Sequence, residues 1–309
     1  MQTRLLGRTG LRVTVAGLGC GGFSRIGIEK GVDHAAKMVR TAYDLGVNFF
    51  DTATVYGTQE AVGIGLQGIA RDRYVLSTKF PYKTDQGLIT PKQLESYLEE
   101  SLRLLRTDYI DVYHIHALNR PDYDYAKNVL VPVMLRAKEQ GKIRFLGVTE
   151  QFIVDTSHEM LKVVLPDNLF DVIMTGYNML NPSAADSVLP LAVQNNIGVL
   201  CMFAVRQALH DPATLQATFT RMIECGQVSS ELDAHTLDFL LEQGIAATLP
   251  EAAYRFCNHA LGISVTLTGT GNPAHLSDNL RAIQAPPLPE EALKQLHKLF
   301  SKVDCVSGQ

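Results

Sequence analysis

Several apolar runs of this chain close on, or lead into, side chains suited to proton transfer: Val47 to Asp51 ends in a carboxylate, Tyr74 to Lys79 in an ammonium and Tyr109 to His116 in an imidazole, while Tyr56 follows just after Asp51. A phenol titrates at about 10 and is a poor acid or base at neutrality, but a buried ammonium beside it stabilises the phenolate and frees the proton. Lys79 is placed to do this for Tyr56, with Asp51 holding the lysine charged. His116 adds a donor able to orient a carbonyl oxygen and share the charge that develops on it. This chemistry needs no metal. Singly, each residue is a weak signal, since a strand-end aspartate is usually a turn residue and a lone Tyr or Lys is usually on the rim. Their weight depends on a fold that gathers them.

Stepping along the chain, short apolar runs alternate with segments of helical periodicity, the signature of βαβ units. The strand candidates are Val15 to Gly19, Val47 to Asp51, Tyr74 to Lys79, Tyr109 to His116, Ile143 to Thr149, Asp171 to Tyr177, Ile197 to Phe203 and Val265 to Gly269. Most are continuously apolar, as a parallel sheet buried on both faces requires. Thr90-Pro91-Lys92-Gln93 is a capping box with proline at the first helical position, followed by Leu94, Leu98, Leu102 and Leu105 on one face. Arg4 to Val13 suggests a β-hairpin ahead of the first strand. The long interval between the last two strands holds helix candidates Glu231 to Gln243 and Pro250 to Ala260, and Glu290 to Val303 is a last amphipathic segment. We expect an α/β fold, a (β/α)8 TIM barrel over residues 1–309 as one domain, with an N-terminal β-hairpin and extra helices in the late βα connection. The alternative, an open doubly wound sheet, fits a count of eight strands less well. In such a barrel the reacting groups lie at the carboxyl ends of the strands, where Asp51, Lys79 and His116 fall.

Composition narrows the partners. Of 309 residues, 46 % are hydrophobic and 19 % charged, enough apolar surface for a large core. The formal net charge of -4 leaves no footprint for nucleic acid, and no basic block marks a membrane-binding face. No leader-like segment and no long apolar span stands out, so a cytoplasmic location is expected. Cys20, Cys201, Cys225, Cys257 and Cys305 are scattered and read as reduced thiols rather than as metal ligands. The expected partner is a small molecule.

Two glycine-bearing stretches need separating. Gly17-Leu18-Gly19-Cys20-Gly21-Gly22 has the spacing of a dinucleotide fingerprint, but Phe23-Ser24-Arg25-Ile26-Gly27 does not open a helix as that motif requires. These glycines read instead as the first strand and its loop, with Gly22 and Phe23 near a ligand. Thr268-Gly269-Thr270-Gly271-Asn272-Pro273, by contrast, precedes residues at helical spacing and forms a cradle for an anion.

Asp51-Thr52-Ala53-Thr54-Val55-Tyr56-Gly57, Ser77-Thr78-Lys79, Asp108 to His116 and Gly141 to Val148 together resemble, in order and spacing, the aldo-keto reductase superfamily. The similarity runs from Leu6-Gly7-Arg8-Thr9-Gly10 to Leu276-Ser277-Asp278-Asn279-Leu280, nearest in character to sugar-dehydrogenase-like members of bacteria and plants. The resemblance implies hydride transfer between a nicotinamide cofactor and a carbonyl or alcohol (an aldehyde, ketone or sugar), with Asp51, Tyr56, Lys79 and His116 as the catalytic tetrad. It implies cofactor contacts from Gly269, Thr270, Gly271, Asn272, Asp278 and Asn279, with Arg206 meeting the pyrophosphate.

The sequence departs from the family where the nicotinamide is held. Thr149-Glu150 stands in place of Ser-Asn, Met174 in place of Gln, and Met202 in place of an aromatic residue, with Phe203 next to it. A methionine can still lie against a ring through its polarisable sulfur. His275 stands where the family often has the arginine that reads the 2'-phosphate, so NADP is expected from the family and NAD is compatible with the sequence. Phe23, Tyr82, His114 and Tyr123 are the candidate substrate contacts, His114 being equally a core histidine. Two rival functions share the scaffold: a cofactor-binding regulatory subunit with little turnover, and a hydrolase, which lacks a second strand-end carboxylate or a metal-ligand cluster.

Overall fold

Residues 1–309 are described by a computed structural model. The chain begins with β1 (Thr3–Leu5) and β2 (Arg12–Thr14), an antiparallel pair turning through a short 3-10 segment at Gly7–Thr9. The barrel strands are β3 (Ala16–Gly19), β4 (Phe49–Asp51), β5 (Val75–Pro81), β8 (Ile110–Leu118), β9 (Ile143–Glu150), β10 (Val172–Gly176), β11 (Gly198–Met202) and β12 (Val265–Thr268), with the two-residue pieces β6 (Lys83–Thr84) and β7 (Gly87–Leu88) hairpinned between β5 and β8. Each barrel strand pairs in parallel with its sequence neighbour, and β12 pairs with β3, closing the sheet. This is the (β/α)8 barrel that the alternation predicts.

Side chains of one parity fill the interior. Phe49, Val75, Val112, Val172, Leu200 and Val265 pack there with Leu6 and Val13 of the hairpin, which plugs the amino-terminal end. Gly17, an inward position of β3, is a glycine for a steric reason: a Cβ there would lie 2.8–2.9 Å from Val265, Leu267 and Phe49. The opposite parity packs on the surrounding helices in the largest apolar cluster. Beyond Gly22 the chain passes through an irregular 3-10 segment, Arg25–Lys30, before the first helix starts at Val32, so the early glycines indeed open no helix.

Helix Pro91–Leu105 starts as its capping box dictates: Gln93 N–H donates to Thr90 Oγ1 at 3.3 Å, and Thr90 N–H to Gln93 Oε1 at 2.8 Å. The late connection differs from the sequence expectation. Glu231 to Gln243 is not one helix but a 3-10 turn, Ala234–Leu237, and a single helical turn, Phe239–Glu242. Its apolar anchors Leu237 and Leu240 are three residues apart, a spacing a tight turn satisfies as well as a helix. The longer helix there is Pro212–Glu224, which the sequence reading omits although Asp211 caps it and Pro212 opens it. Pro250 to Ala260 becomes Leu249–Asn258, and the last helix, Glu290–Phe300, ends before Val303. No helix is long and apolar enough to cross a membrane.

Candidate active site

Strand β4 delivers Asp51 and strand β5 delivers Lys79 to the carboxyl end of the barrel, where the ammonium donates to Asp51 Oδ2 at 2.6 Å and to the Thr52 carbonyl at 2.7 Å. Both side chains are sealed from solvent. Asp51 is fixed from its other oxygen by Ser77 Oγ at 2.7 Å. The Tyr56 ring stands above, its centroid 5.0 Å from Lys79 Nζ, on a 3-10 turn over Thr54–Tyr56 whose Thr54 hydroxyl donates to the Lys79 carbonyl at 2.9 Å. Gly21 makes that position possible, because a Cβ there would lie 2.5 Å from the Tyr56 ring. The Tyr56 hydroxyl is 3.3 Å from His116 Nε2.

His116 owes its aim to a local irregularity. The β8–β9 register slips between Ile115 and Leu118, and Ala117, at φ +53°, donates its N–H to Thr149 Oγ1 at 2.7 Å. A bulge of this kind re-aims a side chain at a barrel rim. The sequence carries no mark of it, since Ala117 is neither Gly nor Asn.

Electrostatics follow from this packing. Burial works against the Lys79 charge, but the Asp51 carboxylate and the Tyr56 phenol outweigh it and hold the ammonium above its ordinary value. Burial pushes the Tyr56 phenol up, opposed by Lys79, so the hydroxyl is kept protonated. Burial and then the Lys79 charge drive His116 down to about 3, leaving a neutral ring at physiological pH.

A cleft of 470 Å³ opens from Tyr56 and Asp51 toward β3, β11 and β12. It gathers Gly22, Phe23, Met174, Met202, Phe203, Arg206 and Gly269 from the predicted cofactor set. Sequence reasoning missed Ser24, Gln207, His210 and Tyr254 on the same walls. Tyr254 comes from a helix remote in sequence, so only the tertiary fold could place it. The Arg206 guanidinium lies 3.7 Å from the centroid of Phe203, and its buried Nε has no partner in the protein. An orphaned cationic N–H, sulfur and aromatic surfaces and Tyr56 share this cleft, a lining that fits an anionic cofactor with a flat reactive ring.

The other predicted contacts lie outside the lining of this cleft. Thr270 bonds within the turn, accepting from Asn272 N–H at 3.2 Å. Asn272 caps helix Pro273–Gln284 through Ala274 N–H at 2.9 Å. Asn279 Nδ2 donates to Thr268 Oγ1 at 2.9 Å, Asp278 pairs with Arg281 at 3.1 Å, and His275 is exposed. Gly271 has a structural duty of its own, since a Cβ there would lie 2.8 Å from the backbone of Gly27.

Thr149 and Glu150 part company because adjacent strand residues face opposite sides. Thr149 is buried facing β8, whereas Glu150 turns away from the cleft. Its carboxylate takes His158 Nδ1 at 2.9 Å, the Thr175 hydroxyl at 2.8 Å and Gly176 N–H at 2.7 Å. The His158 ring stacks on Phe152 at 5.3 Å, and Phe152 meets Phe203 edge-on at 5.4 Å. Glu150 thus supports the wall of the cleft from behind rather than forming its surface. His114 is fully buried, with Nε2 3.0 Å from Ser77 Oγ, one layer beneath His116. Tyr123 is buried with its hydroxyl on Asp167 at 2.6 Å and does not reach either cleft, while Tyr82 lines a second cleft beside His116.

The fold and site define a (β/α)8 barrel with a phenol, an ammonium–carboxylate pair and a neutral imidazole at its carboxyl-terminal mouth. Sequence comparison then gives the family: the model of the Aldo/keto reductase family matches residues 17–300, and the chain belongs to that family of oxidoreductases. It is 25 % identical over 312 residues to L-galactose dehydrogenase of Arabidopsis thaliana, covering 98 % of this chain and 95 % of that one. It is also 25 % identical over 337 residues to a putative voltage-gated potassium channel subunit beta of Schizosaccharomyces pombe, with 96 % and 93 % covered. Among solved structures it resembles an aldo-keto reductase from Bacillus halodurans in its holo form, with a TM-score of 0.74, 22 % identity and coverage of 98 % and 97 %. An aldo/keto reductase from Klebsiella pneumoniae in complex with NADP and acetate gives a TM-score of 0.69 at 22 % identity, covering 98 % and 97 %. At these identities the structural likeness bears on the fold.

Proposed function

We propose that this protein is an NAD(P)-dependent oxidoreductase acting on a carbonyl or the corresponding alcohol, with Tyr56 as general acid/base and Lys79, Asp51 and His116 as its partners. The observation that carries this reading is the contact chain Asp51–Lys79–Tyr56–His116, sealed from water on the Asp51–Lys79 side and open to the cleft at Tyr56. A nicotinamide cofactor, when bound, supplies or takes up the hydride. Met202, Phe203 and Arg206 would hold it, with Gly22 and Gly269 allowing close backbone approach; the solved relative with NADP supports NADP, and the absence of an arginine at His275 leaves NAD compatible.

The protein's own part is proton handling. Tyr56, protonated and 3.3 Å from His116, donates to a carbonyl oxygen seated between the two rings as negative charge grows on it. Lys79 stabilises the resulting phenolate, and Asp51 keeps that ammonium charged and stationary, so the site needs little reorganisation. His116 is neutral and contributes a hydrogen bond rather than a second positive charge. In the alcohol-to-carbonyl direction the same groups accept the proton.

Tyr56→Phe is expected to lower kcat by about two to four powers of ten while leaving the dissociation constant of the cofactor within about twofold. The chain has no tryptophan, so binding is best followed by the emission of the reduced dinucleotide itself. Near-normal turnover in this variant overturns the assignment. The regulatory reading is favoured by one observation, that Met174 lines the cleft in place of an amide while the Glu150 carboxylate turns away from it; cofactor binding by the wild type with no turnover of any carbonyl would establish it instead.

A further inference from the structure

His114 stands outside the contact chain at Tyr56, yet it touches the buried end of that chain. Its ring is fully enclosed and seated against the β9 backbone, where a Cβ on Gly147 would lie 2.2 Å from Nδ1. Its Nε2 is 3.0 Å from Ser77 Oγ, and Ser77 Oγ is 2.7 Å from Asp51 Oδ1, while the other Asp51 oxygen takes the Lys79 ammonium at 2.6 Å. The direction of these bonds follows from the protons available. An ionised carboxylate only accepts, so the single Ser77 proton goes to Asp51. The Ser77 oxygen then turns a lone pair toward His114, and Nε2 must carry a proton to meet it. The ring is neutral, driven well below its ordinary value by burial and then by Lys79 and His116, so Nδ1 is left as a bare acceptor. That is the ring atom with no partner in the protein.

Packing alone does not call for an imidazole here, since Val112, two residues earlier on the same face of β8, belongs to the apolar interior. Resting on the reading of Tyr56 as the acid/base, we propose that His114 is a positioning residue for that proton transfer, acting through Ser77. By donating to Ser77 it keeps the Ser77 hydroxyl from rotating away from Asp51. Asp51 then shares its charge between Ser77 and Lys79, so less of the Lys79 charge is neutralised and more of it remains to stabilise a phenolate on the Tyr56 ring, whose centroid is 5.0 Å from Nζ. No proton travels along this arm. The transferred proton leaves Tyr56 for the carbonyl oxygen, and His114 and Ser77 keep their own. Tyr56 itself is faced by Lys79, Asp51, Arg206 and His116, and His114 by Ser77, Lys79 and His116.

The tautomer is read by nitrogen-15 NMR on the intact protein labelled at its nine histidines, the His114 signals being those lost in His114→Gln. We expect Nε2–H. The opposite form, Nδ1–H drawn by the Val148 backbone, makes Nε2 an acceptor of the Ser77 proton and overturns the assignment. Kinetics use 4-nitrobenzaldehyde with NADPH or NADH. His114→Leu and Ser77→Ala should each lower kcat about three- to tenfold, move the alkaline fall of kcat upward by about half a pH unit to one unit, and leave KM and the cofactor dissociation constant within about twofold. His114→Gln, whose amide can donate to Ser77, should stay within about twofold of wild type, and the double variant should lose about as much as Ser77→Ala alone. A loss equal in the Leu and Gln variants, one that adds to that of Ser77→Ala, or a lowered melting temperature with the pH profile unmoved reduces His114 to a packing residue. Should His114→Leu not fold, Ser77→Ala and the tautomer still decide. An Nε2–H ring in a protein that turns over no carbonyl sinks the oxidoreductase reading, and the role at Tyr56 with it; an Nδ1–H ring in an active enzyme sinks the His114 assignment alone.

Discussion

At the scale of single residues, the site is defined by what burial does to charge. Lys79 remains an ammonium because Asp51, at 2.6 Å, and Tyr56 outweigh its burial, whereas His116 has no carboxylate partner and is held neutral down to about 3. His114 is likewise driven well below its ordinary value, first by burial and then by Lys79 and His116. The consequence for stability has a definite sign. An unfolded histidine takes up a proton near its model value of 6.5, while folded His116 refuses one until about 3. Stability is therefore fully present above the unfolded value and is lost as pH falls through that window, by about 1.4 kcal/mol per pH unit for each such histidine. Urea unfolding of wild type and His116→Gln between about pH 7.5 and about pH 5 measures this directly. The wild type should lose more stability than the variant over the range, the difference approaching one proton's worth; equal slopes would show that His116 titrates normally in the folded protein.

At the scale of elements, the ends of β9 and β10 form a brace behind the cleft that opens from Tyr56. Glu150 collects three donors, and the rings of His158 and Phe152 carry the contact on to Phe203 and Arg206. Two members are held in unusual backbone, His158 at φ +63° and Phe203 at φ +66°. Such conformations persist only where packing over-determines them. A ring fits over the end of β10 because Gly176 has no side chain; a Cβ there would lie 2.1 Å from Phe152. Glu150→Ala strands buried donors, each costing about 1–3 kcal/mol, and should lower stability by roughly 3 kcal/mol or more and weaken cofactor binding as Phe203 loosens. Glu150→Gln keeps an acceptor for Thr175 and Gly176 and should retain most of both. If instead Glu150→Gln weakens the cofactor as much as Ala does, Glu150 touches the ligand and the brace is wrongly described.

At the scale of the whole molecule, the two ends of the barrel divide the labour. The carboxyl end carries the polar layer and both clefts; the amino end is closed by the hairpin, whose Leu6 is fully buried against Gly198. Arg8 fastens the plug, donating to Asp171 Oδ1 at 3.0 Å and to the Phe170 carbonyl at 2.8 Å. Leu6→Ala should cost about 2–5 kcal/mol in denaturant unfolding, as truncation of a close-packed leucine does, with kcat/KM for the best substrate unchanged at a temperature where the variant is folded. A large loss of kcat/KM without loss of stability would mean that the plug communicates with the mouth.

The order of the elements, the capped start of helix Pro91–Leu105 and the strand-end positions of Asp51, Lys79 and His116 were legible in the sequence, because each depends on local spacing and on the rule that barrels react at their carboxyl ends. So was the distinction between the early glycines and a dinucleotide fingerprint, which needs only the absence of a helix start. The sequence did not show which face of each strand looks inward. Strands buried on both sides are apolar throughout and lack the alternation that would reveal it. Hence neighbours Thr149 and Glu150 read as one contact pair, and only barrel closure sent Glu150 outward to His158. Tyr123 read as a pocket aromatic for a similar reason: the loop's sequence does not say that Asp167, distant along the chain, claims its hydroxyl. The bulge at Ala117 and the polar cleft built from the loops around His116 were decided by tertiary structure alone, since loop conformation is set by what the rigid barrel brings beside it.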